Sequence, residues 1–223
     1  MRKSLFLAAA LAASAMLVLA PAGAALAAGK TDVLTTVKVG GPNVKANNVL
    51  QAGLKARTVL TFSQVGVPKP ISLTCTKSTI TSKVTANPPK PGMAVELITG
   101  ETITGCKANT TLVKTVTVTA TKLPDKVTVS DAKGFPVTVS GPSATLKIVP
   151  APSTKLKPFS CFYAAKTIKG HASNTGSTIS FSKQIFTLQK GSGIFCPKNG
   201  ALTVTYGPVV DLSVVGHPHV FVN

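Results

Sequence analysis

Four cysteines stand at positions 75, 106, 161 and 196, and their spacing bounds their chemistry. No two form a Cys-x-x-Cys unit, so neither a zinc knuckle nor a thioredoxin-type redox pair is available. In an oxidising compartment they would pair as disulfides, and four cysteines allow three connectivities. The run His217-Pro218-His219 near the end places two imidazoles where they can share a strand face, and imidazole suits zinc or copper. A metal needs a third ligand, for which His171 and Asp211 are the candidates by type. Without one, the run reads as a turn with solvated rings before the terminal strand "VFVN".

Carboxylates are scarce. All six acidic residues lie beyond the first thirty positions: Asp32, Glu96, Glu101, Asp125, Asp131 and Asp211. Most sit in turn-like or solvent-facing contexts, as Asp131 does in "SDAKG". They could supply the two converging carboxyls of a glycosidase, but no pattern marks a pair. The chain has no Gly-x-Ser-x-Gly elbow, no His-Glu-x-x-His and no glycine-rich phosphate loop. The expectation is therefore a protein that is not an enzyme, with no cofactor and no metal beyond the candidates His217 and His219.

The elements that must position these residues begin after a leader. Arg2 and Lys3 precede an apolar run from Leu5 to Ala20, and Ala25-Leu26-Ala27 supplies small residues for cleavage. This is the three-part pattern of a secretory signal over residues 1–27. Pro21 and Gly23 end the run short of a membrane span, and the missing arginine pair favours the general secretory route over twin-arginine export. A secreted, extracellular protein with no membrane span is expected.

Past residue 27 the chain is rich in Val and Thr, whose branching at Cβ suits a pleated, half-buried surface. Alternation is direct. In "LKARTVLTF", Leu54, Ala56, Thr58, Leu60 and Phe62 share a face. Leu73 and Cys75 do so with Ile71 in "ISLTC", Val116 and Val118 with Ala120 in "TVTVTA", and Leu202, Val204 and Tyr206 in "ALTVTY". Such period-2 runs are strands with one dry face, the habit of antiparallel sheets. Turn residues separate them, and "VTVSDAKGFPVTVS" reads as a hairpin with Gly134 at its turn.

The features recur in order. "VKVGGP" at 37–42 resembles "VTVSGP" at 137–142; "KPISLTC" resembles "LKPFSC"; each cysteine is followed by a second, then by "TVTVTA" or "LTVTY". The expected fold is all-β, two tandem immunoglobulin-like antiparallel β-sandwich units, at residues 28–131 and 132–223. The other arrangement open to this pattern is one larger sandwich whose sheets draw strands from both halves. The repeat selects one disulfide within each unit, Cys75 with Cys106 and Cys161 with Cys196.

Charge is the remaining feature. The chain carries +18, and the loss of Arg2 and Lys3 with the leader reduces this to +16. Such a field attracts polyanions and weakens with salt. Arg57 is the only arginine past the leader and aromatics are few, so no specific nucleic-acid reader is expected. Anionic cell-wall polymer is the natural partner, with Lys155, Lys157 and Lys166 as polyanion-binding candidates around Cys161; solubility is the alternative use of the charge.

The runs "VTVSDAKGFPVTVSGP", "FSCFYAAKTIKGHASNTGSTISFSKQIFT" and "CPKNGALTVTYGPVVDLSVVGHPHVFVN" together resemble a group of secreted β-sandwich proteins of actinomycetes that are labelled by their signal sequence, often as Tat-signal domain proteins. That resemblance covers most of the chain past the leader and implies an extracellular β-protein, with no activity to carry over. A looser similarity is to the apoproteins of enediyne chromoproteins, two-disulfide sandwiches of half this length. The function expected is that of a structural or binding protein outside the cell, wall- or polyanion-associated. The alternative is a carrier that holds a small apolar ligand within or between the units.

Overall fold

The structure, a computed structural model, describes residues 30–223. The expected leader at 1–27 lies outside the described residues. Fourteen strands follow in order: β1 Leu34–Thr36, β2 Val49–Leu54, β3 Leu60–Gln64, β4 Ser72–Ala86, β5 Met93–Ala108, β6 Val113–Thr121 and β7 Asp125–Ser130. Then come β8 Pro136–Ser140, β9 Ser143–Pro150, β10 Phe159–Ala164, β11 Thr167–Ser173, β12 Thr178–Leu188, β13 Asn199–Asp211 and β14 Val220–Val222. All ladders are antiparallel, as the alternation implies.

Eight of the strands close on themselves. Following the ladders, β2 pairs with β4, β4 with β5, β5 with β7, β7 with β8, β8 with β11, β11 with β12, β12 with β13, and β13 returns to β2. Closure removes the sheet edges that an open sheet would have to protect. Four of these strands are long: β4, β5, β12 and β13 have 15, 16, 11 and 13 residues. They outrun the barrel, and their far ends carry an upper storey made with β3, β6, β9 and β10. That storey does not close: β6 follows β5 directly, yet no ladder joins them among the described residues. At the lower end the β1–β14 ribbon lies across the barrel, with Leu34, Val220 and Val222 buried against it.

The arrangement is a closed eight-stranded barrel with extra strands, not two tandem sandwiches. The expected boundary at residue 131 falls in the β7–β8 turn, where Gly134 takes φ +83°, and these two strands are partners. β13, from the second half of the chain, lies between β2 and β3 from the first. Strands of both halves interleave, as in the one larger sandwich that the pattern also allowed, but they close into a barrel. A second difference is local. The run "LKARTVLTF" is not one strand: β2 ends at Leu54, Arg57 turns left-handed at φ +64°, and the Thr58 hydroxyl donates to the Lys55 carbonyl at 2.7 Å before β3 begins. A threonine hydroxyl offers the backbone a local partner in place of the ladder.

The long strands change phase where the storeys meet. On the β5 side, Thr99 is an extra residue opposite Thr81 and Ser82; on β12, Ser182 and Lys183 oppose Thr203; on β13, Gly207 and Pro208 interrupt the pairing with β2. Each irregularity shifts the alternation by one, so residues five apart can both point inward. Phe181 and Phe186 are both 6 % exposed for this reason. Gly207, at φ +153°, leaves no room for a side chain, because a Cβ there would collide with Thr178.

Candidate functional site

A chain of cavities runs along the interior. The central one, of about 100 Å³, is walled mainly by apolar side chains such as Ile80, Ile98, Ile103, Val118, Leu146 and Phe181. Below it lie spaces of about 40 Å³ and about 30 Å³, the lower one ending against the β1–β14 ribbon. Above it a second space of about 100 Å³ opens toward Phe159 and Phe195. Phe62 and Tyr163 stand between the two larger spaces and line both. Their rings meet edge-on at 5.0 Å, and Phe62 meets Phe186 at 6.1 Å; such pairs are worth about 0.5–1.5 kcal/mol each. Gly200 makes this possible, because any side chain there would strike the Phe62 ring. Tyr163 donates its hydroxyl to the Pro197 carbonyl at 2.8 Å, and burial pushes its pKa up to about 12.

The polar groups of the interior were not anticipated. The expectation that the carboxylates are mostly solvent-facing fails: Glu96, Asp125 and Asp211 are 7 %, 8 % and 0 % exposed, and Glu101 lines the central cavity. Glu96 and Glu101 are five apart on β5, so strict alternation would put them on opposite faces; the extra residue Thr99 brings both inside. Tyr206 donates to Glu101 Oε1 at 3.1 Å, which leaves Ser78, at 2.9 Å, to donate to the tyrosine oxygen. Ser82 donates to Glu96 Oε2 at 2.6 Å. Asp125 opens β7 and completes the wall of the central cavity beside Pro142 and Ser143.

Burial governs their protonation. The Glu96 carboxyl is pushed above its ordinary range by desolvation, which the Ser82 hydroxyl partly offsets. Glu101 is raised by burial, pulled back by the Tyr206 hydrogen bond, and raised again by the nearby charge of Asp125. Asp125 is itself raised by burial. Tyr206, enclosed and facing Glu101, is held well above the phenolic range. Neither Lys, Arg nor His lines any of the four cavities among the described residues.

Asp211 has a different role. Asn48 donates to its Oδ2 at 2.6 Å and the Ser213 amide to its Oδ1 at 2.9 Å, so it braces the loop after β13.

The cysteines pair as Cys75–Cys106 and Cys161–Cys196. The first pair is a directly opposed cross-strand couple of β4 and β5, and the second anchors the β12–β13 loop to β10. Both lie in the upper storey, and two disulfides fit an oxidising, extracellular setting. His217 and His219 are exposed in the turn before β14, with His217 in a left-handed conformation at φ +44°. No group of three metal-ligating side chains occurs among the described residues. Lys155 and Lys157 are exposed on the connection between β9 and β10, while Lys166 is exposed in the β10–β11 turn, a different level of the barrel.

The upper end is a mixed surface. Ile194 and Phe195, 91 % and 56 % exposed, project from the loop held by Cys196, and Leu112 is 57 % exposed on the β5–β6 turn. Lys69, Lys155, Lys157, Lys190 and Lys198 stand in the same set of loops, which contain no carboxylate. No helix among the described residues is long and apolar enough to cross a membrane. Compared with known proteins, the chain matches no protein-family model, no curated protein and no solved structure.

Proposed function

We propose that the barrel is a container: a binding or carrier protein, outside the cell, for a small and largely apolar ligand. One observation carries this reading. A closed eight-stranded barrel encloses an apolar cavity of about 100 Å³ on which a few polar groups converge. Barrels of eight strands are just wide enough to be filled by side chains or to hold one small ligand. Protein interiors have few voids larger than water, so a row of spaces along one axis is a departure that a ligand would explain. For scale, an engineered apolar cavity of about 150 Å³ takes up benzene.

The same size argues for binding over catalysis on polymers. Glu101 and Asp125 are two carboxyls at one cavity, but a glycan does not fit in about 100 Å³. Ligand access is through the upper space, where Phe159 and Phe195 meet at 5.8 Å between ring centres. A second reading, association with anionic wall polymer, is favoured by the carboxylate-free lysine loops of the upper end. It concerns the outside of the barrel and does not compete with the cavity for residues.

The test is titration of the protein with toluene, followed by NMR of the methyls of Ile80, Ile98 and Ile103. Saturable shifts confined to the cavity, abolished when Ala144→Leu fills its wall, support the reading. Unmoved methyls up to the solubility of toluene refute it.

A further inference from the structure

We propose that the ligand of the central cavity carries a basic nitrogen: the site takes a small apolar body bearing an ammonium group, seated between Asp125 and Glu101. This rests on the container reading above and names its ligand class.

The chain has 24 basic and 6 acidic residues, so any exposed carboxylate would find lysine partners in abundance. Three of the six instead line the interior spaces: Glu101 and Asp125 the central one, Glu96 the one below. No cation from the protein meets them there among the described residues. Taking a carboxyl out of water without a partner is costly, and an ion pair inside is favourable only when its geometry and hydrogen bonds are complete.

Asp125 differs from Glu96 and Glu101, each of which accepts from a hydroxyl. It is 8 % exposed and borders the cavity, and no hydrogen bond to its carboxylate exists among the described residues. Among the described residues every fully enclosed side-chain oxygen and nitrogen has a partner, so the unpartnered Asp125 carboxyl keeps an open approach, and it lies on the lining of the central cavity. Glu101 has one oxygen occupied by the Tyr206 hydroxyl, and its other oxygen has no hydrogen-bond partner among the described residues. A carboxylate accepts at about four positions, and an ammonium offers three donors. A guest nitrogen between the two residues supplies donors to both, and Phe181, Tyr163 and Tyr206 on the same wall bring aromatic rings, which attract a cation as aliphatic side chains do not. Apart from Ser143, the rest of the wall, Ile80, Ile98, Val118 and Leu146 among it, is apolar. The basic exterior then has a consequence: a cationic guest is not held by the outer surface and stays only where the carboxyls are.

The experiment compares three probes of nearly equal shape on the full chain at one pH near neutrality: toluene, benzyl alcohol and benzylamine. Binding is read by calorimetry and by the same isoleucine methyl shifts. Benzylamine is expected to bind at least about tenfold more tightly than either neutral probe, as charge-assisted hydrogen bonds in a dry site require. Asp125→Asn is expected to bring benzylamine down to the affinity that toluene shows on the same variant, and Glu101→Gln to do the same should the first variant fail to fold. If toluene binds and benzylamine binds no better, the ammonium site is wrong and the container stands. If no probe moves the methyls, both fall. Equal loss of toluene and benzylamine in a folded variant also overturns the proposal, because it assigns the carboxyls to cavity shape alone.

Discussion

Tyr206→Phe isolates one oxygen at the centre of the interior polar group. The ring stays, and with it the packing of a residue that is 4 % exposed. What is lost is the donor to Glu101 at 3.1 Å and the acceptor for Ser78 at 2.9 Å, itself 4 % exposed. When Glu101 is protonated the loss is that of neutral hydrogen bonds, about 0.5–1.5 kcal/mol. When Glu101 is ionised it loses a charge-assisted bond, and the cost becomes about 1.5–3 kcal/mol. The pH dependence has a definite sign. Glu101 is raised by burial, so its contribution to stability is complete below the unfolded value near pH 4 and is lost as pH rises through the folded value. Removing the hydroxyl that pulls Glu101 down raises it further, so the variant loses stability over a longer pH span than the wild type. Thermal unfolding by circular dichroism across a pH series should show Tyr206→Phe melting about 2–4 °C low where Glu101 is protonated and roughly twice that where it is ionised, at the ~2–4 °C per kcal/mol typical of this size. In the Glu101→Gln background the pH dependence of the difference should vanish. A deficit that does not vary with pH, or one that survives unchanged in that background, would show that the phenol and the carboxyl are not coupled.

Glu96→Gln should gain stability relative to the wild type as pH rises from 4 to 8, because a buried carboxyl raised by desolvation resists ionisation and an amide does not; calorimetric melts at both pH values check this. Replacing Cys75 and Cys106 by alanine opens a bridge spanning 31 residues, and the chain-entropy model gives about 3.7 kcal/mol, measurable as a shift in the urea midpoint. The fragment 132–223 should stay unfolded by NMR, because it loses the β2 and β3 partners of β13 and the β7 partner of β8. Replacing Lys155, Lys157 and Lys166 together by glutamine should lower the salt slope of heparin binding with little change in melting temperature, since all three are exposed; binding indifferent to salt would leave the lysines as a solubility feature.

The faces of the strands were legible, and their partners were not. Leu73 with Cys75 and Val204 with Tyr206 are buried together because alternation depends only on the local pleat. Pairing depends on closure, which no local window encodes. The resemblance between the halves has a plain source: each contains one long hairpin, β4–β5 or β12–β13, that crosses both storeys of the same barrel. Similar tasks call for similar residues, and the order "strand, cysteine, cysteine, strand" recurs without two separate domains. The cysteine pairing follows the same order: one bridge joins the two strands of the β4–β5 hairpin, and the other ties the β12–β13 loop to β10.

The candidate site escaped sequence reading for a reason that can be stated residue by residue. Period-2 logic assigns Glu96 and Glu101 to opposite faces, and does the same for Tyr206 and Asp211. All four turn inward because an extra residue sits between the members of each pair, Thr99 in one case and the Gly207–Pro208 step in the other. Pro208 and Gly207 are visible in the sequence as a break in an otherwise regular strand, and a glycine in such a place signals a bulge. Thr99 carries no such mark. The interior carboxyls are therefore set by the sharing of long strands between two storeys: each strand must present a dry face to two successive interiors, and the phase shift needed to do so places acidic residues where alternation alone would not.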